Sequence, residues 1–209
     1  MKMMPVIVSF FSLISIMVVI ASLFMEKGSE LFQLAVYYDW AFCTVFILDF
    51  LVQFIKAKSK KEYLVNKGGL IDLVGSVPII MEIRFLRFFR IFRVFRFFKS
   101  YQTIKVFLMT NRQSAIYAAI FIIISFVIIA TSFMVLYLEQ NVGNIQTAQD
   151  TVWWAFITVT TVGYGDYYPI TTGGKFFASI LIFNGFIAFG TLISFINTTF
   201  SNLGKQLPR

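Results

Sequence analysis

The sequence has no histidine, one cysteine, four prolines and few charges, which make up 13% of its 209 residues against roughly a quarter in ordinary soluble domains. Without histidine there is no His-based metal site and no Ser-His nucleophile pair. Cys43 cannot close an intrachain disulfide, and its apolar surroundings make it a packing residue. So little charge leaves too little polar surface to cover a water-soluble globule of this size. Acids are the scarcer sign, ten against eighteen cations, for a net charge of +8. A basic balance admits nucleic acid as a partner, but where the cations sit matters more than their sum.

What is present is apolar: 58% hydrophobic residues, 27 of all residues being phenylalanine. Membrane embedding follows. Apolar stretches recur near residues 5–25, 35–55, 69–82, 114–138 and 174–200, and a sixth segment, 83–99, interleaves arginine. Lys2, the first apolar run and the pair Ala21-Ser22 imitate a secretory signal. The run continues through Met25, however, giving the length of a retained transmembrane helix. A further apolar piece, 150–160, is too short to cross and reads as a re-entrant helix. It opens at "TAQD", where Thr147 and Asp150 have capping-box spacing.

Lysine and arginine set the orientation. Lys2, the link holding Lys56, Lys58, Lys60, Lys61 and Lys67, then Lys105 and Arg112, and finally Lys205 and Arg209 alternate with cation-poor connections. Six crossings put all these basic links and both termini on the cytoplasmic side. Little chain lies outside the first and last spans, so no cytoplasmic ligand-binding or assembly domain is expected.

"RFLRFFRIFRVFRFFK" sets Arg84, Arg87, Arg90, Arg93, Arg96 and Lys99 at every third position. On an α-helix this spacing advances about 300° per cation, a slow spiral, and in a 3₁₀ stretch the cations would share one row. Apolar residues at the other positions leave no broad polar face, which argues against a surface helix or a nucleic-acid arm. A cation at a helix centre costs about 2.5–3.5 kcal/mol in lipid, and each large apolar residue returns only about 0.3–0.6. The segment therefore needs intramembrane anions or wet crevices. Asp39 and Asp49 in the second stretch and Asp72 in the third are the candidates. A helix able to step past fixed carboxylates senses voltage. A static, salt-bridged helix is the alternative.

Around "VFILDFLVQF" and "GLIDLVGSVP" the chain resembles the voltage-sensor domain of voltage-gated potassium channels. The resemblance implies that Phe46, Asp49 and Asp72 form the site through which the arginines pass, with Asp39 as the outer acid. Two departures stand out: Gln53 occupies a place where that family often has a cation, and Glu82 lies only two residues before Arg84.

"TVTTVGYGDYYP", residues 158–169, concentrates glycine and hydroxyls between apolar runs. Gly163 and Gly165 tolerate positive φ, so successive carbonyls can face one way. "TVGYG" resembles the selectivity filter of potassium channels. The resemblance implies that Thr161, Val162, Gly163 and Tyr164 offer carbonyl oxygens to K+, that Gly165 completes the filter, and that four chains surround it. Asp166 would then ring the outer mouth, and Trp153 and Trp154 would brace the filter in one aromatic layer with Tyr164. Gly185 and Gly190 resemble the hinge positions of the potassium-channel inner helix, close packing being the alternative. Phe186, Phe189 and Ile193 would line a cavity above a constriction near residues 197–200.

The expectation is an all-α membrane protein assembled as a homotetramer. Residues 1–99 form a voltage-sensor-like four-helix bundle, 100–113 an interfacial linker helix, and 114–209 a pore domain with its pore helix near 149–160 and filter at 161–165. Its function would be passive, voltage-gated K+ conduction, or K+ conduction with weak voltage dependence and the first four spans as scaffold. No catalysis and no cofactor are expected, K+ being the transported ion, bound transiently. Expected partners are further copies of the chain and membrane lipids with anionic head groups at the basic face, not nucleic acid. The location would be the plasma membrane.

Overall fold

The computed structural model describes residues 3–57, 59–65, 69–76, 94–95, 109 and 112–204. Among these the chain is helical and without strands: α1 (Met3–Leu23), α2 (Glu30–Lys56), α3 (Lys60–Val65), α4 (Gly69–Val74), α5 (Arg112–Glu139), α6 (Ala148–Val159) and α7 (Thr172–Gly204). Four of them contain segments long and apolar enough to cross a membrane: Val6–Leu23, Glu30–Lys56, Ser114–Glu139 and Thr172–Ser201. These correspond to the expected first, second, fifth and sixth crossings. The third is described only through residue 76. Of the fourth only residues 94–95 are described, and all six of its cations lie outside the described residues, as does most of the linker 100–113.

Two compact units divide the chain, residues 1–118 and 119–209. In the first, α1 and α2 pack as neighbours. α2 begins at Glu30 rather than near 35, because the Ser29 side chain accepts the Phe32 N–H at 3.2 Å and Glu30 complements the positive end of the helix. Phe11 meets Phe42 edge to face at 5.6 Å, and Val19 packs on Val36. Ser9, Ser12, Ser15 and Ser22 on α1 are all buried. Ser12 and Ser22 return their hydroxyls to the carbonyls of Val8 and Val19, at 3.0 and 2.7 Å. Small side chains with hydroxyls satisfied in this way let helices approach closely in an apolar medium.

The second unit packs the end of α5, α6 and the first half of α7 around Val135, Ile145, Trp154, Ala155 and Leu181. The buried Asn184 side chain on α7 donates to the Ile124 carbonyl on α5 at 3.2 Å. Beyond it α7 shows Phe186, Ile187, Phe189, Leu192, Ile193, Phe195 and Phe200 to the outside. α6 has 12 residues, about 18 Å of helix, well short of a bilayer's apolar core of about 30 Å.

Candidate functional site

α6 aims the glycine-rich segment. It starts with the capping box read in the sequence: the Asp150 N–H donates to Thr147 Oγ1 at 3.1 Å and the Thr147 N–H to Asp150 Oδ2 at 3.0 Å. Thr160 caps the other end through Phe156 and Thr158. The chain then leaves the helix with its amides turned back toward it. Thr161 N–H donates to the Thr158 carbonyl at 3.0 Å. Val162 and Gly163 N–H both donate to the Ile157 carbonyl, at 3.0 and 3.1 Å. Among the described residues no donor meets the carbonyls of Thr161, Val162, Gly163 or Tyr164.

The backbone there alternates in hand. Thr161, Gly163 and Gly165 have φ of 60°, 53° and 79°, while Val162 and Tyr164 between them stay on the ordinary side. In a strand, neighbouring carbonyls point in opposite directions along the ladder. Reversing the sign of φ at every second residue removes that alternation. The two glycines were legible as permits for this conformation; Thr161 was not. A β-branched residue at positive φ is a genuine outlier and costs of order 1–3 kcal/mol, which only a well-determined surrounding sustains.

The two tryptophans part company, as adjacent positions on a helix must. Trp153 stacks on Tyr164 with centroids 6.0 Å apart and planes at 10°, and also lies against Phe156. Trp154 turns into the core. Asp166, expected at a mouth, has both carboxylate oxygens engaged: Oδ2 accepts the Trp153 indole N–H at 2.7 Å and Oδ1 the Tyr167 amide at 3.1 Å. Gly185 lies where an added Cβ would stand 2.7 Å from the Val159 carbonyl, so α7 passes hard against the end of α6 at this glycine. Gly190 meets nothing within 4 Å. α7 runs as one helix through both.

In the first unit Asp39, Phe42, Phe46, Asp49 and Phe50 share the buried face of α2. Phe46 is wholly buried, as is Asp39, and Phe42 stacks on it at 6.3 Å. Gln53 Nε2 donates to Asp49 Oδ2 at 2.8 Å, so the amide one turn on serves the buried acid. Asp72 on α4 is buried and accepts the Tyr63 hydroxyl at 3.3 Å. The Tyr63 ring in turn lies 6.1 Å from Phe50 and 6.4 Å from Phe54.

The ion transport protein family matches residues 3–207. The chain belongs to that family. Its members are transport proteins rather than enzymes, and with its long apolar helices this one is a multi-pass membrane protein. It is 36% identical over 63 residues to human potassium voltage-gated channel subfamily A member 4, which covers 30% of this chain and 10% of that protein. It is 42% identical over 52 residues to human subfamily A member 6, covering 25% of this chain and 10% of the relative. The matched stretches are thus a small part of each relative's length. They agree with the resemblance that the motifs carry.

Two residues of this ion transport protein escaped the sequence reading. Glu139, at the end of α5, is fully buried. Its Oε2 accepts the Ile170 amide at 3.0 Å, and its Oε1 accepts the Thr171 amide at 3.0 Å and the Thr171 hydroxyl at 2.6 Å. An acid in the last turn of a helix opposes the helix dipole, which was the available sign that it must have donors elsewhere. Asn144 donates to the Asp166 carbonyl at 2.8 Å and accepts the Tyr168 amide at 3.3 Å. No local pattern marked it.

Proposed function

We propose that this chain is one subunit of a potassium-selective channel of the voltage-gated type, with four copies surrounding residues 161–165. The observation that carries the reading is the alternation of φ at Thr161, Gly163 and Gly165 within "TVGYG". With amides folded back on α6, the carbonyls of Thr161, Val162, Gly163 and Tyr164 are left to replace an ion's water shell, one layer from each residue and one oxygen from each subunit. α6 serves as the re-entrant pore helix, its negative end favouring a cation beneath the filter. Asp166 adds negative charge at the outer mouth while bonded to Trp153. The sensor-like module spans residues 1–99, the linker 100–113 and the pore 114–209. Six crossings place both termini in the cytoplasm of a cell whose plasma membrane holds the channel, and the basic inner links meet anionic head groups.

Gating assigns Arg84, Arg87, Arg90, Arg93, Arg96 and Lys99 as the moving charges and Asp39, Asp49 and Asp72 as fixed ones, with Phe46 between aqueous sides. One charge carried through 100 mV is worth about 2.3 kcal/mol, so a few charges per subunit dominate the closed-to-open balance. Outward movement of that helix reaches α7 through the linker, and Gly185 and Gly190 permit the inner helix to adjust. The names of the relatives favour the same reading.

Purified protein in planar bilayers tests both halves. Bi-ionic recordings should reverse near the potassium potential; comparable sodium permeation would sink the filter reading. Open probability should rise steeply with voltage and flatten when Arg90 and Arg93 are neutralised. A potassium current indifferent to voltage in both forms would leave residues 1–99 as scaffold.

A further inference from the structure

Immediately after the filter, the exit loop 166–171 is tied down residue by residue. The Asp166 carboxylate goes to Trp153, the Tyr167 hydroxyl to Asp150, and the Ile170 and Thr171 amides to Glu139. Two further main-chain groups of this loop, the Asp166 carbonyl and the Tyr168 amide, are both taken by one side chain. We propose that Asn144 is a positioning residue that sets the outer end of the conduction segment. This rests on the filter reading above.

The Asn144 side chain bridges two main-chain groups of the exit loop: its amide N–H donates to the residue 166 carbonyl and its oxygen accepts from the residue 168 amide. An exposed asparagine on a loose loop would contribute little, but this one is held from both sides. The Val142 and Gly143 amides both donate to the Glu139 carbonyl at 2.9 Å. Ile145, the next residue, is completely buried among Val135, Trp154 and Leu181. Gln146 Nε2 donates back to the Gly143 carbonyl at 3.1 Å, and the Gln146 amide reaches Asp150 Oδ2 at 3.3 Å. The loop therefore presents a preorganised amide to the filter exit. Gly165, one residue upstream of the clamped carbonyl, holds φ 79°. Releasing residues 166–168 removes the anchor against which that conformation is kept.

The test uses the full chain in liposomes, with Asn144→Asp as the main variant and Asn144→Ala beside it. Aspartate has the same shape and still accepts from Tyr168, but it turns an oxygen toward the Asp166 carbonyl where a donor is needed. A space-filling role would survive the change; a donor role would not. Potassium current during sustained activation should decay about tenfold faster in Asn144→Asp, about 1.4 kcal/mol on the barrier. Raising external potassium should slow that decay, since ions in the filter oppose its rearrangement. The Tyr168 amide should exchange with solvent correspondingly faster, with initial selectivity unchanged. Unaltered decay and exchange, or a faster decay indifferent to external potassium, overturns the clamp. If the unmodified chain passes no potassium, the filter reading falls instead. Tyr168 exchange then decides the clamp alone, and undiminished protection in Asn144→Asp overturns it.

Discussion

Replacing Glu139 by glutamine should loosen the entry of α7 while leaving its shape intact. The carboxylate receives three hydrogen bonds, two on Oε1 from Thr171 and one on Oε2 from Ile170. In the glutamine form the amide oxygen takes over the Thr171 pair, and the NH2 group faces the Ile170 N–H, donor against donor. One bond to a charged acceptor, about 1.5–3 kcal/mol, is lost, and the other two drop to the neutral range, about 1 kcal/mol less each. Removing a buried charge returns part of this by easing its desolvation, and a net loss of about 2 kcal/mol per subunit remains. That corresponds to roughly thirtyfold faster exchange of the Ile170 and Thr171 amides, measurable by hydrogen exchange on the reconstituted protein. Glu139→Ala, which strands all three donors, should be worse than Glu139→Gln. Exchange changed by less than about threefold, or alanine better tolerated than glutamine, would refute the reasoning.

Gly185→Ala should force α7 away from the end of α6, because its Cβ would stand 2.7 Å from a main-chain carbonyl that cannot swing aside. We expect a cost of about 1–3 kcal/mol in thermal stability, whereas Gly190→Ala, with open space around it, should be neutral or better. Tyr63→Phe keeps the ring between Phe50 and Phe54 and deletes the hydroxyl on Asp72. On the proposed voltage-gated reading, the midpoint of activation should shift by tens of millivolts at unchanged selectivity; an unmoved midpoint would leave Tyr63 a packing residue. The Asp150–Tyr167 pair should respond to pH at both ends. Burial pushes the Asp150 carboxyl up, but hydrogen bonds from Thr147, Tyr167 and Gln146 outweigh it and hold the group below its ordinary 3.8. Its contribution is complete above that value and is lost as pH falls through the lowered one. Hydrogen bonding to Asp150, with its charge, holds the Tyr167 phenol above its ordinary 10.0, so that contribution is complete below 10.0 and is lost as pH rises through the raised value. Isotope-edited NMR of Tyr167 should show the phenol titrating lower in Asp150→Asn.

What the sequence made legible follows the range of the forces involved. The capping box at Thr147 and Asp150 and the extent of α6 depend on neighbours a turn away, and both appear where the pattern put them. The acids and aromatics of α2 share a buried face because their spacing follows the helical period. Thr161 defied its own propensity: a β-branched side chain at positive φ is imposed by amides anchored on the Ile157 and Thr158 carbonyls, not chosen locally. Asn144 and Glu139 reach partners 22 to 32 residues away, which no local pattern encodes. Trp153 and Trp154 looked interchangeable as a pair, yet roughly 100° of helical turn sends one to Tyr164 and the other to the core.

The serine face of α1 bears on how the chain is made. The first span enters the bilayer before α2 has been synthesised, and four buried serines would then meet lipid rather than protein. Ser12 and Ser22 need no neighbour, because each carries its acceptor on its own helix. The helix can leave the translocon with these two hydroxyls already satisfied, wait among lipids, and later pack against protein. A larger polar side chain at either position would need a partner on another helix, and the span would depend on a segment not yet translated.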